Sequence, residues 1–150
     1  MPQSLSEILI HIVFSTKDRA PFIAADLQAP LHAFLAGVCR TANCEALRVG
    51  GVADHVHLAI RLSRTVTMAA LIEDLKSASS KWIKVQDAAL RDFHWQRGYG
   101  AFSIGRSQLP ALIRYIDAQP EHHRMHTFQE EYRMLLQRYT ITFDEKYVWD

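Results

Sequence analysis

His55 and His57 stand one residue apart inside the apolar run Val49-Gly-Gly-Val-Ala-Asp-His-Val-His-Leu-Ala-Ile60. If the run is a strand, alternate side chains leave the same face, and two residues of strand rise put the two Cα atoms about 7 Å apart. Imidazole is a common metal ligand, and a pair on a rigid strand is in place before an ion arrives. The two histidines therefore offer a two-point metal clamp. A strand whose polar alternate positions happen to be histidine has the same pattern, so the meaning depends on what joins the pair.

A cation held by two imidazoles needs further oxygen or nitrogen ligands, and chemistry beside it needs a nucleophile or a base. Tyr115 stands apart from the other tyrosines because Gln119 follows at i+4, which places a phenol and a potential amide ligand on one side of a helix. That side flanks the apolar stripe, so packing can hold the ring while the hydroxyl reaches a groove. A neutral phenol is a weak nucleophile, and a divalent cation helps by polarising a phosphate and stabilising charge during transfer. Two imidazoles and one amide oxygen leave positions for phosphate oxygens or water, which suits Mg²⁺ or Mn²⁺ better than a closed zinc site. Such Tyr/Gln pairs also occur incidentally on amphipathic helices.

The elements that must position these residues are legible from periodicity. Leu5 to Phe14 reads as a buried strand closed by the polar loop Ser15 to Pro21. A helix fits residues 25–42 through Leu27, Leu31, Phe34, Leu35 and Val38, with Pro30 near its start. Ala46 to Gly51 and His55 to Leu62 make two strands about a turn at Val52-Ala-Asp54. Thr65 or Thr67 caps a helix whose apolar side carries Met68, Leu71, Ile72, Leu75, Trp82 and Ile83. The aromatic segment Phe93 to Ile104 forms a loop and then a strand. Ser107 is expected to cap a short helix through Leu109, Leu112, Ile113 and Ile116, and Thr127 a last helix, Phe128 to Tyr139.

The order is strand, helix, strand, strand, helix, strand and two further helices. It predicts an α+β fold, a ferredoxin-like split βαβ sheet with a C-terminal helical extension that carries Tyr115. The first and third strands are usually central in this topology, which puts His11 beside the His55/His57 strand. No repeat or linker divides the chain, so residues 1–150 are expected to form a single domain.

Composition is that of an ordinary globular protein, 49% hydrophobic and 22% charged, which argues against disorder. No run is long enough to span a membrane and the N-terminus lacks the basic start of a signal peptide, so a cytoplasmic location is expected. Cys39 and Cys44 have neither knuckle spacing nor a disulfide framework and read as small buried side chains. The net charge is +1, but residues 61–106 are richer in Lys and Arg than in acids, whereas residues 120–150 lean acidic. Such asymmetry permits a local phosphate-binding surface, and it also describes a solvated helix face.

Taken together, these elements resemble a family. The opening Ile10-His-Ile-Val-Phe-Ser-Thr-Lys17, the strand Asp54-His-Val-His-Leu58 and the helix stretch Leu75-Lys-Ser-Ala-Ser-Ser-Lys-Trp82 come first. Trp95-Gln-Arg-Gly-Tyr-Gly-Ala-Phe-Ser103 and Arg114-Tyr-Ile-Asp-Ala-Gln-Pro-Glu-His-His123, leading into Thr127-Phe-Gln-Glu-Glu131, complete the set. In this order the chain resembles, over nearly its whole length, the small single-tyrosine HUH transposases of insertion sequences that move as single-stranded DNA.

The resemblance implies that His55, His57 and Gln119 bind a divalent cation, Mg²⁺ or Mn²⁺, and that Tyr115 attacks a DNA phosphate to leave a 5′-phosphotyrosine link and a free 3′-hydroxyl. It implies a homodimer that recognises hairpins near element ends in single-stranded DNA, often with the tyrosine helix supplied by the partner subunit. Lys76, Ser80, Lys81, Lys84, Arg97 and Arg106 are the candidates for DNA contact. Trp95 and Tyr99 are either base-stacking or core residues. His122 and His123 either orient the tyrosine or DNA, or are solvated helix-end residues, and His11 either backs the metal or is a satisfied core histidine. Pro120 directly after Gln119 is expected to end or kink the helix. A non-cleaving hairpin-binding protein and a replication-initiator-like nicking enzyme are the alternative readings of the same scaffold.

Overall fold

In the computed structural model, which describes residues 2–150, strict alternation along two central strands divides the molecule into an apolar side and a side that carries the strand histidines. Strands β1 (Ile8–Ser15), β2 (Glu45–Gly51), β3 (His55–Leu62) and β4 (Gly100–Ile104) form one sheet in the order β2-β3-β1-β4. Each neighbouring pair is antiparallel, and Val13 lies opposite His57 across the β1–β3 ladder. This is the ferredoxin-like order expected from the sequence, with β1 and β3 in the centre.

Ile10, Ile12 and Phe14 of β1 and Val56, Leu58 and Ile60 of β3 project to one face, where they are buried with Leu31, Leu35 and Cys39 of α1 (Ala25–Thr41) and Leu71, Ile72, Leu75 and Ile83 of α2 (Met68–Gln86). Removal of these side chains from water is the main favourable term for folding. Cys39 and Cys44 are both free and buried, as the sequence suggested. The opposite face is covered by α3 (Leu109–Asp117), the short α4 (Gln119–His122) and α5 (Phe128–Arg138). Leu112 and Ile116 of α3 lie over Ala59, while Phe128, Tyr132, Leu135 and Leu136 of α5 pack on Val13 and Phe102.

Threonine caps start α2 and α5. Thr67 Oγ1 accepts a hydrogen bond from the Ala70 amide and Thr127 Oγ1 one from the Glu130 amide, both 3.1 Å long. The cap expected at Ser107 is replaced. A 3-10 turn, Arg106–Gln108, precedes α3, and the Gly105 amide donates to Gln108 Oε1 at 2.8 Å. The first strand begins at Ile8, because Leu5 is 86% exposed and gains nothing from the sheet. Pro30 lies past the first turn of α1, inside the helix, where its ring nitrogen gives up one backbone bond.

Two glycines end β2, one setting the distance of the cover and the other shaping the hairpin. A Cβ at Gly50 would lie 2.6 Å from Ile116 Cγ2, so only glycine lets α3 come this close to the sheet. Gly51 adopts a φ of 155°, and a Cβ there would collide with the His55 carbonyl. The hairpin that aims His55 thus depends on a residue without a side chain. No helix among the described residues is long and apolar enough to cross a membrane.

Candidate active site

His55 and His57 leave the same face of β3, fully buried beneath the C-terminal helices. Their Nε2 atoms converge on one carboxylate, that of Glu131 in α5. His57 Nε2 lies 2.9 Å and His55 Nε2 3.3 Å from Glu131 Oε1. His123, just past α4, brings its Nε2 to 3.2 Å from the same oxygen. Nitrogen and oxygen atoms of His55, His57, His123 and Glu131 all lie within 4.8 Å of one another, a spacing that could enclose a metal ion.

Tyr115 and Gln119 approach from the other side. The Tyr115 hydroxyl donates to Glu131 Oε2, and Gln119 Nε2 donates to the same oxygen at 2.9 Å. Gln119 Oε1 faces His55 Nε2 at 3.0 Å, and the side chain is fully buried. The helix does break where Pro120 suggested it would. α3 ends at Asp117, and Gln119 opens a separate turn with Pro120 at its start. The break leaves the phenol and the amide on the same carboxylate. Tyr115 stands edge-on to His57, with ring centroids 5.6 Å apart, and meets the histidines of its own chain.

The outer nitrogens of both strand histidines are tied. His55 Nδ1 is 2.6 Å from Asp54 Oδ1, and His57 Nδ1 is 2.7 Å from Nε2 of the buried His11. A ligating imidazole needs such a partner to fix its tautomer and ring orientation, so the arrangement fits a metal held by the inner nitrogens. His122 Nε2 adds a buried nitrogen without a hydrogen-bond partner among the described residues, 3.5 Å from Glu131 Oε2. The donor set therefore fits a divalent cation by its chemistry and by its outer contacts.

Charge within the cluster follows from burial against pairing. Burial opposes charge on His55, yet hydrogen bonds to Asp54 and Glu131 outweigh it and bring the pKa up to about 9. Burial pushes His57 down to about 4 against the pull of Glu131, and burial together with His57 brings His11 down to about 3. Burial favours a neutral Glu131, but hydrogen bonds from His123, His55 and His57 hold it far below the usual carboxylate range. Burial and the Glu131 carboxylate raise Tyr115 well above an ordinary phenol. The nucleophile candidate is thus neutral, beside an ionised carboxylate.

Two grooves reach this cluster. One, of about 630 Å³, is lined by Asp54, Pro120, His123, Arg124 and His126. The other, of about 360 Å³, is lined by His11, Gln108, Tyr115, Arg138 and Tyr139.

The basic candidates are dispersed. Lys76, Ser80 and Arg97 border a third groove of about 470 Å³ with Trp95 and Tyr99. The Lys76 ammonium is committed to the carbonyls of Gln96, Arg97 and Gly98 at 2.8, 3.1 and 2.6 Å, so it closes a loop instead of standing free for phosphate. Burial lowers its pKa to about 8. Trp95 is buried and donates to Ser79 Oγ at 2.9 Å, which makes it a core residue. Lys81 and Arg97 are exposed, and Ser80 and Lys84 are partly so. Arg106 is exposed but pairs with Glu7 at 2.5 Å.

Glu131, Asp54 and the placement of His123 are what sequence reasoning missed. Glu131 carried a signal: it shares the buried stripe of α5 with Phe128, Tyr132 and Leu135, where an acid is out of place.

Comparison with known proteins agrees with the fold and gives it a family. The family described as "Transposase IS200 like" matches residues 4–119. Transposases for insertion sequence element IS200 from Salmonella typhimurium and Salmonella typhi are each 26% identical over 121 residues, covering 77% of this chain and 78% of theirs. A putative transposase from Deinococcus radiodurans superposes with a TM-score of 0.62 at 16% identity, over 79% of this chain and 98% of that one. A REP-associated tyrosine transposase, solved bound to a REP hairpin, superposes with a TM-score of 0.60 at 14% identity, over 82% of this chain and 72% of that one.

Proposed function

This chain belongs to the family of IS200-like transposases, enzymes that transfer DNA strands, and we propose that it cleaves and rejoins single-stranded DNA at hairpin-marked element ends with Tyr115 as the nucleophile. The observation that carries this reading is the meeting of the Tyr115 phenol, the Gln119 amide and the inner nitrogens of His55 and His57 around one buried carboxylate. A nucleophile and a set of metal donors share a space into which a phosphate could be drawn from either flanking groove.

In the proposed reaction the Tyr115 oxygen forms a bond to phosphorus and gives up its proton. The bond from phosphorus to the 3′ oxygen breaks, and that oxygen leaves as a hydroxyl after taking up a proton. The product is a 5′-phosphotyrosine link, which a 3′-hydroxyl on another strand end reverses. The phosphodiester energy stays in the link, so no high-energy cofactor is consumed. His55, His57 and Gln119 would hold Mg²⁺ or Mn²⁺, which supplies polarisation of the phosphate and stabilisation of charge during transfer. The phenol donates a hydrogen bond to Glu131, and Asp54 and His11 would fix the rings of the two strand histidines.

The relative solved on a REP hairpin supports hairpin DNA as the substrate class. Ser80, Lys81, Lys84 and Arg97 would contact its backbone, and a homodimer would pool two such thin surfaces. The test is incubation of the chain with Mg²⁺ and single-stranded hairpin DNA from the flanks of its gene, read on denaturing gels. A protein–DNA adduct is expected with the native chain and none with Tyr115→Phe, which should still bind the hairpin. Binding without any adduct from the native chain would favour a non-cleaving hairpin binder.

A further inference from the structure

Glu131 is where the ion side and the nucleophile side of the site meet. Its Oε1 faces the inner nitrogens of His57, His123 and His55 at 2.9, 3.2 and 3.3 Å. Its Oε2 accepts from the Tyr115 hydroxyl and from Gln119 Nε2. The residue is 2% exposed and lies on the apolar stripe of α5 between Phe128 and Tyr132. An acid in that position is retained against a large desolvation penalty, which points to a task that an apolar residue cannot do.

The chemistry of the other donors indicates the task. His55, His57 and Gln119 offer nitrogen and a neutral amide oxygen, whereas Mg²⁺ and Mn²⁺ favour carboxylate oxygen. Glu131 is the carboxylate whose atoms fall inside the donor cluster, within 4.8 Å of the inner nitrogens. The Asp54 carboxylate is turned to the outer nitrogen of His55.

We infer that Glu131 is the anionic ligand of the metal site through one oxygen and, through the other, the positioning residue that holds the Tyr115 phenol next to the ion. Ion occupancy and nucleophile placement are then coupled through a single side chain. The positioning half rests on the proposed tyrosine chemistry, and the ligand half does not.

The test is calorimetric titration of Mn²⁺ into the native chain, Glu131→Gln and Tyr115→Phe, with circular dichroism to establish that each variant is folded. Loss of an outer-shell partner already weakens metal sites about tenfold to a hundredfold, so Glu131→Gln is expected to bind Mn²⁺ at least about tenfold more weakly. Tyr115→Phe, which removes a hydrogen bond to the other oxygen of Glu131 but no donor to the ion, should lose less affinity than Glu131→Gln. Native affinity in a folded Glu131→Gln overturns the ligand assignment. For positioning, Glu131→Ala is assayed for adduct formation at saturating Mn²⁺. A rate deficit of about a hundredfold is expected from a misplaced nucleophile, and full recovery at high Mn²⁺ overturns it.

If a variant loses its native circular dichroism, Mn²⁺-soaked crystals of the native chain carry the ligand test. Anomalous density coordinated by Glu131 is expected, and an ion held by His55 and His57 with Glu131 turned away contradicts it. A native chain that binds Mn²⁺ through Glu131 but forms no DNA adduct leaves the ligand half standing and defeats the transfer reading. An adduct from the native chain together with undiminished Mn²⁺ binding by Glu131→Gln does the reverse.

Discussion

The two faces of the central strands are built from adjacent residues and have opposite characters. Val56, Leu58 and Ile60 face α1 and α2 in an apolar core, while His55, His57 and Ala59 face α3, α4 and α5. On the apolar face, stability comes from area removed from water and depends little on which partner each atom meets. On the other face, His11, His55, His57, Gln119 and Glu131 are equally buried, and each is tolerable only because specific atoms pair with it. One side makes the strands rigid, and the rigid strands present the histidines.

Truncation on the apolar face gives the largest effect on stability. Leu58→Ala should cost about 2–5 kcal/mol in chemical denaturation, and below its unfolding transition the variant should still bind Mn²⁺ as tightly as the native chain. Weakened Mn²⁺ binding in the folded variant would mean that the two faces are not separable.

On the polar face, Asp54→Asn should leave the denaturation midpoint near the native value and weaken Mn²⁺ binding by about tenfold to a hundredfold, because His55 loses the carboxylate that orients it. Titration calorimetry reads this directly. A large loss of stability with unchanged metal affinity would place Asp54 in the structural class instead.

The smallest effect is expected where the cover begins. Thr127→Ala removes the side-chain cap of α5 and should destabilise the chain by about 1 kcal/mol. Hydrogen exchange should locate the loss in α5 and spare β1 and β3. Equal loss across the sheet would show that the helical cover and the sheet unfold as one unit.

Much of this contrast was legible in the residues. Alternation along β3 separated the histidines from Val56, Leu58 and Ile60, and the i+4 spacing put Tyr115 and Gln119 on one side. The expected bounds of β3, His55 to Leu62, match the structure, as does the cap at Thr127, and of the two threonines offered for α2 it is Thr67 that caps. What periodicity could not show was which separate elements meet. Glu131 lies on a helix whose first turn is acidic anyway, and only tertiary packing brings it against His57, 74 residues away. The ties of Lys76, a candidate for DNA contact, were hidden for a similar reason, since the loop carbonyls that it bonds come from residues 96–98. The split between α3 and α4 was signalled by Pro120, but not that Gln119 would keep its place beside Tyr115 across the break.

The proposed reaction makes Tyr115 the residue that bonds covalently to DNA. The direct measurement is mass-spectrometric peptide mapping of the adduct formed by the native chain with a single-stranded hairpin substrate in Mg²⁺. A nucleotide mass is expected on the peptide containing Tyr115, linked through a 5′ phosphate. An adduct mapped to Tyr99, Tyr132, Tyr139 or any other residue, or one that persists unchanged in Tyr115→Phe, would contradict it.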